Sequence, residues 1–406
     1  MEWIHGGVTA PQGFLAAAAR AGVKASGADD LAVVLSEADA SAAGVFTTNV
    51  VQAAPVHWSR SIVHRRGRAR AVLLNSGNAN ACTGRQGDAD VRAMAATAAR
   101  LLSIQPEDVL VASTGVIGVP LPMDLVLDGM GRLGAALARG PAADARAADA
   151  IRTTDTVMKQ AAIRFPLRGR VVTIGGMAKG SGMIHPNMAT MLAVLTTDAE
   201  VAPDVLQTAL ADGVDASFNM LSIDGDTSTN DSVFVLANGA SGVEIARESD
   251  AYAQFSRALT AVMVSLAKQI ARDGEGATKL LEVKVVGAQD TEAARRLAKS
   301  VVSSNLVKSA MFGRDANWGR VLAALGYSGV QFDPQRVRVD FVSPYGQILL
   351  LENGEPVSFS ETEARRVLSA DEVQVCVALN AGDGMAVAWG CDLTYDYVRI
   401  NADYRT

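Results

Sequence analysis

Short apolar runs rich in β-branched residues recur along this whole sequence, with helical stripes between them, and that interleaving most constrains its fold. The runs at 31–35, 71–74, 109–112, 171–174, 233–236, 281–286, 337–342, 348–351 and 373–379 have strand length, and several are bounded by Gly or Asn. Val337-Arg338-Val339-Asp340-Phe341 alternates strictly, as a half-buried strand does. Val91, Met94, Ala95, Ala98, Leu101 and Leu102 instead follow helical spacing, as do Phe255, Leu259, Val262, Leu266 and Ile270. A third helix is expected from Pro203 and Asp204, because proline suits a first helical turn, with Val205, Leu206, Ala209 and Leu210 on one face. Strands and helices mix without strict alternation, which predicts an α+β or layered-sandwich fold. There is no internal repeat. Gly175-Gly176 and Gly180-Ser181-Gly182 punctuate the chain and suggest a boundary near 180–190.

The chain has 406 residues, 49% of them hydrophobic, enough for one large core or two packed units. Aromatics are only 5%, so the core is expected to use small side chains and close backbone approach. Formal net charge is −6, and the one short basic stretch, His64-Arg65-Arg66-Gly67-Arg68, reads as a solvated turn; nucleic acid is not an expected partner. The start, Met1-Glu2-Trp3-Ile4-His5-Gly6-Gly7, has neither a basic nor an apolar leader region, so a signal peptide is not expected. No apolar run approaches the roughly 20 residues of a membrane span. Cys82, Cys376 and Cys391 are few, odd in number and scattered, which fits a cytoplasmic protein; they read as small buried apolar residues. Four histidines, with no Cys/His cluster at ligand spacing, predict no metal site, and no cofactor is expected.

One stretch invites chemistry: Met177-Ala178-Lys179-Gly180-Ser181-Gly182-Met183-Ile184-His185-Pro186-Asn187-Met188-Ala189-Thr190-Met191-Leu192. It follows a buried strand and carries glycines, a lysine, a small residue and a threonine. Neither phosphate-loop spacing nor a G-x-S-x-G elbow is present. The acidic residue inside Gly274-Glu275-Gly276-Ala277-Thr278-Lys279 would repel a phosphate. Taken alone, the stretch reads as a tight strand–loop–strand turn.

The same stretch resembles the signature of the ornithine acetyltransferase (glutamate N-acetyltransferase, ArgJ) family. The resemblance extends through Val8-Thr9-Ala10-Pro11-Gln12-Gly13-Phe14, Asn75-Ser76-Gly77-Asn78-Ala79-Asn80-Ala81-Cys82-Thr83-Gly84 and Ser113-Thr114-Gly115-Val116-Ile117-Gly118. It continues in Thr153-Thr154-Asp155-Thr156, Ser222-Ile223-Asp224-Gly225-Asp226-Thr227, Asp273 to Lys279, Gly313 to Arg320, and Asn401-Ala402-Asp403-Tyr404-Arg405-Thr406. It implies an αββα sandwich, shared with self-cleaving aminopeptidases, with a smaller C-terminal subdomain.

It also implies self-cleavage between Ala189 and Thr190, giving an alpha chain 1–189 and a beta chain 190–406 that begins with its nucleophile. A free α-amino group, with an ordinary pKa of roughly 7.7–8.0, can take the threonine hydroxyl proton. Thr114 and Gly115 would then form the oxyanion hole. Thr153, Lys179, Thr190, Glu275, Asn401 and Thr406 would bind N²-acetylornithine and glutamate. A lysine suits a carboxylate, a glutamate an ammonium. The implied reaction moves the acetyl group of N²-acetylornithine to glutamate in arginine biosynthesis, with acetyl-CoA as a further donor in some members. The implied assembly is an α₂β₂ heterotetramer. A self-processing aminopeptidase or amidohydrolase of related fold is the alternative. Asp224, Asp226 and Asp231 lack calcium-loop spacing and read as turn-holding residues; His185 reads as positioning its loop. Arg314 and Arg320 are candidates to pair carboxylates near the site.

Overall fold

The computed structural model describes residues 1–185 and 191–403. Its strands, in chain order, begin with β1 (Glu2–Ile4), β2 (Phe14–Ala19), β3 (Leu31–Phe46), β4 (Arg68–Asn78), β5 (Val109–Val116) and β6 (Lys159–Leu167). Next come β7 (Arg170–Lys179), β8 (Leu192–Thr197), β9 (Glu200–Val201), β10 (Leu221–Ser222), β11 (Ser232–Ala237) and β12 (Glu244–Ile245). The last are β13 (Leu280–Ala288), β14 (Arg338–Ser343), β15 (Gly346–Glu352), β16 (Glu355–Pro356), β17 (Glu372–Ala378) and β18 (Gly384–Cys391). Every expected strand run falls on one of these, displaced by a residue at 337 and 379. The three expected helices are Gly84–Leu102, Pro203–Asp215 and Asp250–Arg272.

A nine-stranded sheet runs β1-β6-β7-β8-β11-β3-β4-β5, with β2 paired to β3. The long strand β3 serves both halves of it. Its first part pairs with β2 and β4, its last part with β11, and the register with β4 shifts between Leu35 and Ala40. Phe14, Val34, Leu74 and Ala112 of one half share a single core with Met177, Val194 and Phe234 of the other. The two halves therefore face each other.

The outer face of the β2–β5 half, through Val33, Leu73 and Val111, packs on Val91, Met94 and Ala95 of the helix Gly84–Leu102. On the other outer face, Ile174, Leu195 and Val235 pack on Leu206, Phe255, Val262 and Leu266 of the next two helices. This is an α+β sandwich with helices outside and strands inside. A second sheet, β10-β18-β13-β17-β14-β15-β16, forms the smaller C-terminal unit; its face is covered by the helix Thr291–Ser303, and Val283 and Val285 belong to the same core as the helix Asp250–Arg272.

The punctuated stretch expected to mark a boundary links β7 to β8, which lie side by side in one sheet. It is therefore a connection within the sandwich. Gly175 shows why small residues matter here, since a Cβ there would run into the backbone carbonyl of Gly7. The cysteines depart from expectation: only Cys391 is buried, Cys376 is half-buried and Cys82 is exposed. Cys82 occupies a left-handed turn (φ 58°) ahead of a helix, and Cys376 sits beside Gln374 on the half-buried face of β17. Among the described residues, no helix is long and apolar enough to cross a membrane.

The helix Asp250–Arg272 joins the two units and ends beside the cavity described next. Ser249 caps its start by accepting the Tyr252 N–H at 3.0 Å. Leu266, fully buried against the large sheet, should be worth about 2–5 kcal/mol to the fold when cut back to alanine. Val398→Ala, exposed on the C-terminal helix Tyr395–Asp403, should change stability by less than about 0.5 kcal/mol. Denaturant unfolding of both variants checks the contrast.

Candidate active site

The ends of β5 and β7 and the turn after the helix Asp250–Arg272 converge on a cavity of about 450 Å³. Its walls include Thr114, Gly115, Thr153, Lys179, Glu275 and Asn401, six of the residues singled out in the sequence. Met191, which follows Thr190 in the chain, also lines it. Ala189, Thr190 and Thr406 lie outside the described residues.

Thr114 and Gly115 stand where β5 pairs with the end of β4 and the register shifts at Gly77 and Asn78. Gly115 has φ +132°, and a side chain there would collide with the Gly77 carbonyl carbon, so glycine is required for the close approach. Lys179 closes β7, and its ammonium donates to the Thr114 hydroxyl oxygen at 3.4 Å. With that oxygen accepting, the Thr114 proton is left free to donate elsewhere. Only 7% of Lys179 is exposed; burial pushes its ammonium below the ordinary lysine value, and Asp155 opposes that shift.

Glu275 comes from the turn after the helix Asp250–Arg272 and lies beside the residues that follow β7. Its N–H donates to the Ser181 carbonyl at 2.9 Å, and its Oε2 accepts from the Asn401 side chain at 2.7 Å. Gly182 makes room, since a Cβ there would overlap the Glu275 carboxylate. Asn401 and Tyr397 share the C-terminal helix, which buries no residue and lines the cavity through these two side chains. Tyr397 donates to Asp224 at 3.3 Å; burial, then the Asp224 charge, push its phenol up.

The acidic trio divides. Asp224 accepts the Met183 and Ile184 N–H groups at 2.6 and 2.9 Å and the Asp226 N–H at 3.3 Å, the turn-holding role expected of it. Asp231 differs: it lines the cavity only 3% exposed, and among the described residues its Oδ2 has no hydrogen-bond partner. Burial pushes its carboxyl well above the ordinary range. Neither Arg314 nor Arg320 lines the cavity, correcting the expectation for that pair; Arg320 instead donates to the Leu306 carbonyl at 2.8 Å. Tyr397 escapes sequence reading, and Asp231 reads there only as a turn-holding residue, because their cavity neighbours come from distant segments.

A cation, a buried carboxylate and neutral donors lining one cavity suit transfer of an acyl group between two charged small molecules. The pattern that defines the ArgJ family matches residues 15–406. The arginine biosynthesis bifunctional protein ArgJ of Symbiobacterium thermophilum is 57% identical over 409 residues, covering 100% of both chains. The protein of that name from Caldanaerobacter subterraneus is 49% identical over 407 residues, again covering 100% of both. A crystal structure of the Bacillus halodurans protein of that name matches with a TM-score of 0.50 at 47% identity, over 53% of this chain and 100% of that one. The chain belongs to the ArgJ family and is an acyltransferase of arginine biosynthesis.

His185 borders the same loop. Its Nδ1 lies 3.0 Å from the Ser222 hydroxyl, and its carbonyl accepts from Thr227 at 2.8 Å, which suits the loop-positioning role. Burial first, then the Lys299 charge, depress its pKa from 6.5 to about 4. The unfolded chain therefore binds a proton near pH 6.5 that the folded chain refuses until about pH 4. Stability should fall as pH drops through that window. His185→Gln should show a shallower fall in melting temperature across it.

Proposed function

We propose that this chain is a glutamate N-acetyltransferase that carries the acetyl group of N²-acetylornithine to glutamate on Thr190. Cleavage of the Ala189–Thr190 bond yields fragments 1–189 and 190–406 and frees the α-amino group of Thr190. That amine takes the hydroxyl proton while the oxygen attacks the acetyl carbonyl. The Thr114 hydroxyl and the Gly115 N–H receive the developing oxyanion. As the C–N bond breaks, the proton passes to the leaving nitrogen and ornithine departs. The Thr190 amine takes a proton from the glutamate ammonium, the freed nitrogen attacks the acetyl ester, and as the C–O bond breaks the second nitrogen proton passes to the threonine oxygen, giving N-acetylglutamate.

The observation that carries this reading is the gathering of Thr114, Gly115, Thr153, Lys179, Glu275 and Asn401 around one cavity that Met191 also lines. Lys179 pairs with the substrate α-carboxylate and Glu275 with an ammonium, while Thr153, Asn401 and Thr406 complete the binding set. Both proposed fragments contribute: the first three of the six lie before Ala189 together with Lys179, and Glu275 and Asn401 after it. The fragments stay joined through the β7–β8 ladder and the shared core, and two such pairs form an α₂β₂ assembly. The relatives are named bifunctional, and on that ground the proposal includes acetyl-CoA as a second acetyl donor. Its location is the cytoplasm.

Purified protein given N²-acetylornithine should form N-acetylglutamate only when glutamate is present. Free acetate released at a rate indifferent to glutamate would favour an amidohydrolase instead. Thr190→Ala should run as one uncut chain on a denaturing gel and transfer nothing. Thr114→Ala should cut kcat by about 10²–10³-fold, the usual loss for one oxyanion donor. A cleaved, active Thr190→Ala protein would overturn the nucleophile.

A further inference from the structure

Behind the cavity wall lies a charge cluster that the acyl-transfer steps do not use. The Asp155 side chain is fully buried. Its Oδ1 accepts the Lys159 ammonium at 2.6 Å and the Gly180 N–H at 2.6 Å, while Oδ2 accepts the Thr153 N–H at 3.0 Å. One carboxylate thus fixes the backbone of Thr153 and of the residue directly after Lys179. Its free energy is committed to geometry on the substrate side of the wall, not to solvent.

Among the described residues, the charges that act most on Lys179 are those of Asp155, Lys159, Asp231 and Glu275. Lys159 repels it. Burial pushes the Asp231 carboxyl well up, toward its neutral form, and Glu275 is engaged by Asn401. Glu275 keeps its charge but lines the cavity, where a substrate ammonium competes for it; Asp155, with no exposed side-chain surface, is the anion that an entering ligand does not reach. Burial alone would raise its carboxyl, but the Lys179 and Lys159 charges, with the bonds from Lys159 and Gly180, bring it down to about 2. It therefore stays ionised whatever enters the cavity.

We propose that Asp155 is a positioning residue for this reaction, holding the Thr153 and Gly180 turns together and keeping Lys179 a cation ready for the substrate α-carboxylate. The proposal rests on the reading in which Lys179 receives that carboxylate. It explains why a lysine this buried can serve as a charged anchor: a neutral amine would bind a carboxylate weakly, and only a fixed, unsolvated anion behind it offsets the loss of water.

The test uses Asp155→Asn in the full chain, with lysine labelled at its ε-carbon with ¹³C; the sequence has only eight lysines, and the Lys179 signal is assigned by its loss in Lys179→Gln. The Lys179 signal should titrate at lower pH in Asp155→Asn than in the unaltered protein. KM for N²-acetylornithine should rise roughly 10- to 100-fold near pH 8, the scale of one charge-assisted contact, and kcat should change less. The KM defect should be smaller at pH 6 than at pH 8, because lower pH favours the protonated amine, and should largely vanish in a Lys179→Gln background. An unchanged Lys179 titration overturns the proposal. So does a KM defect equal at both pH values and in both backgrounds, which marks a merely structural residue. If Asp155→Asn fails to fold, Asp155→Asn with Lys159→Met takes its place, compared with Lys159→Met alone so that the loss of the Lys159 charge is common to both, and the same outcomes decide. Should the unaltered protein make no N-acetylglutamate, the functional reading fails, and the titration still decides the role of Asp155.

Discussion

The Lys159 ammonium, with no exposed surface, sits between two carboxylates, 2.6 Å from Asp155 and 2.6 Å from Asp273. Such a buried cation costs several kcal/mol of hydration, and well-packed apolar residues would often stabilise as much. Its value lies in what it specifies. Asp273 follows the helix Asp250–Arg272 and also accepts from the Thr156 hydroxyl and N–H, while its carbonyl accepts from Ser181. Asp155 reaches the backbones of Thr153 and Gly180. One ammonium therefore ties the start of β6, the end of β7 and the end of the long helix into a single wall. Removing it would leave two carboxylates facing each other without a counter-charge, and the cavity geometry would relax.

Close backbone approach is the second condition. Gly115 lies against Gly77, Gly175 against Gly7, and Gly182 beside the Glu275 carboxylate, each where a Cβ would collide. With aromatics at 5%, the core relies on Ala, Val and Leu, and the two inner half-sheets meet on a surface of small residues such as Ala16, Ala32 and Ala112. Such cores tolerate little added volume. The positions that shape the site are therefore set by what is missing from them as much as by what they carry.

Periodicity made the strands and main helices legible because burial on one or two faces writes directly into spacing. It failed where polar residues sit within a strand: β3 continues from Leu35 through Ser36-Glu37-Ala38-Asp39, a stretch with no apolar run to announce it. It also could not show that β3 bends to serve two half-sheets, since strand pairing is a long-range property. Resemblance to a family pointed to Thr114, Lys179, Glu275 and Asn401, and the fold brings them together. The charges behind them were harder to read. Asp155 stands inside Thr153-Thr154-Asp155-Thr156, yet its importance depends on Lys159 reaching it from β6 and Gly180 from just past the end of β7. Asp231 looked like its neighbours Asp224 and Asp226, and only burial beside Lys179 sets it apart.

The central claim is that acetyl passes through Thr190. Protein incubated with N²-acetylornithine and no acceptor, then quenched in acid, allows each fragment to be weighed by mass spectrometry. The account predicts one added acetyl group on fragment 190–406, placed on its first residue and lost when glutamate is added. Ornithine release with that fragment unmodified, or acetyl carried by another residue, would contradict it.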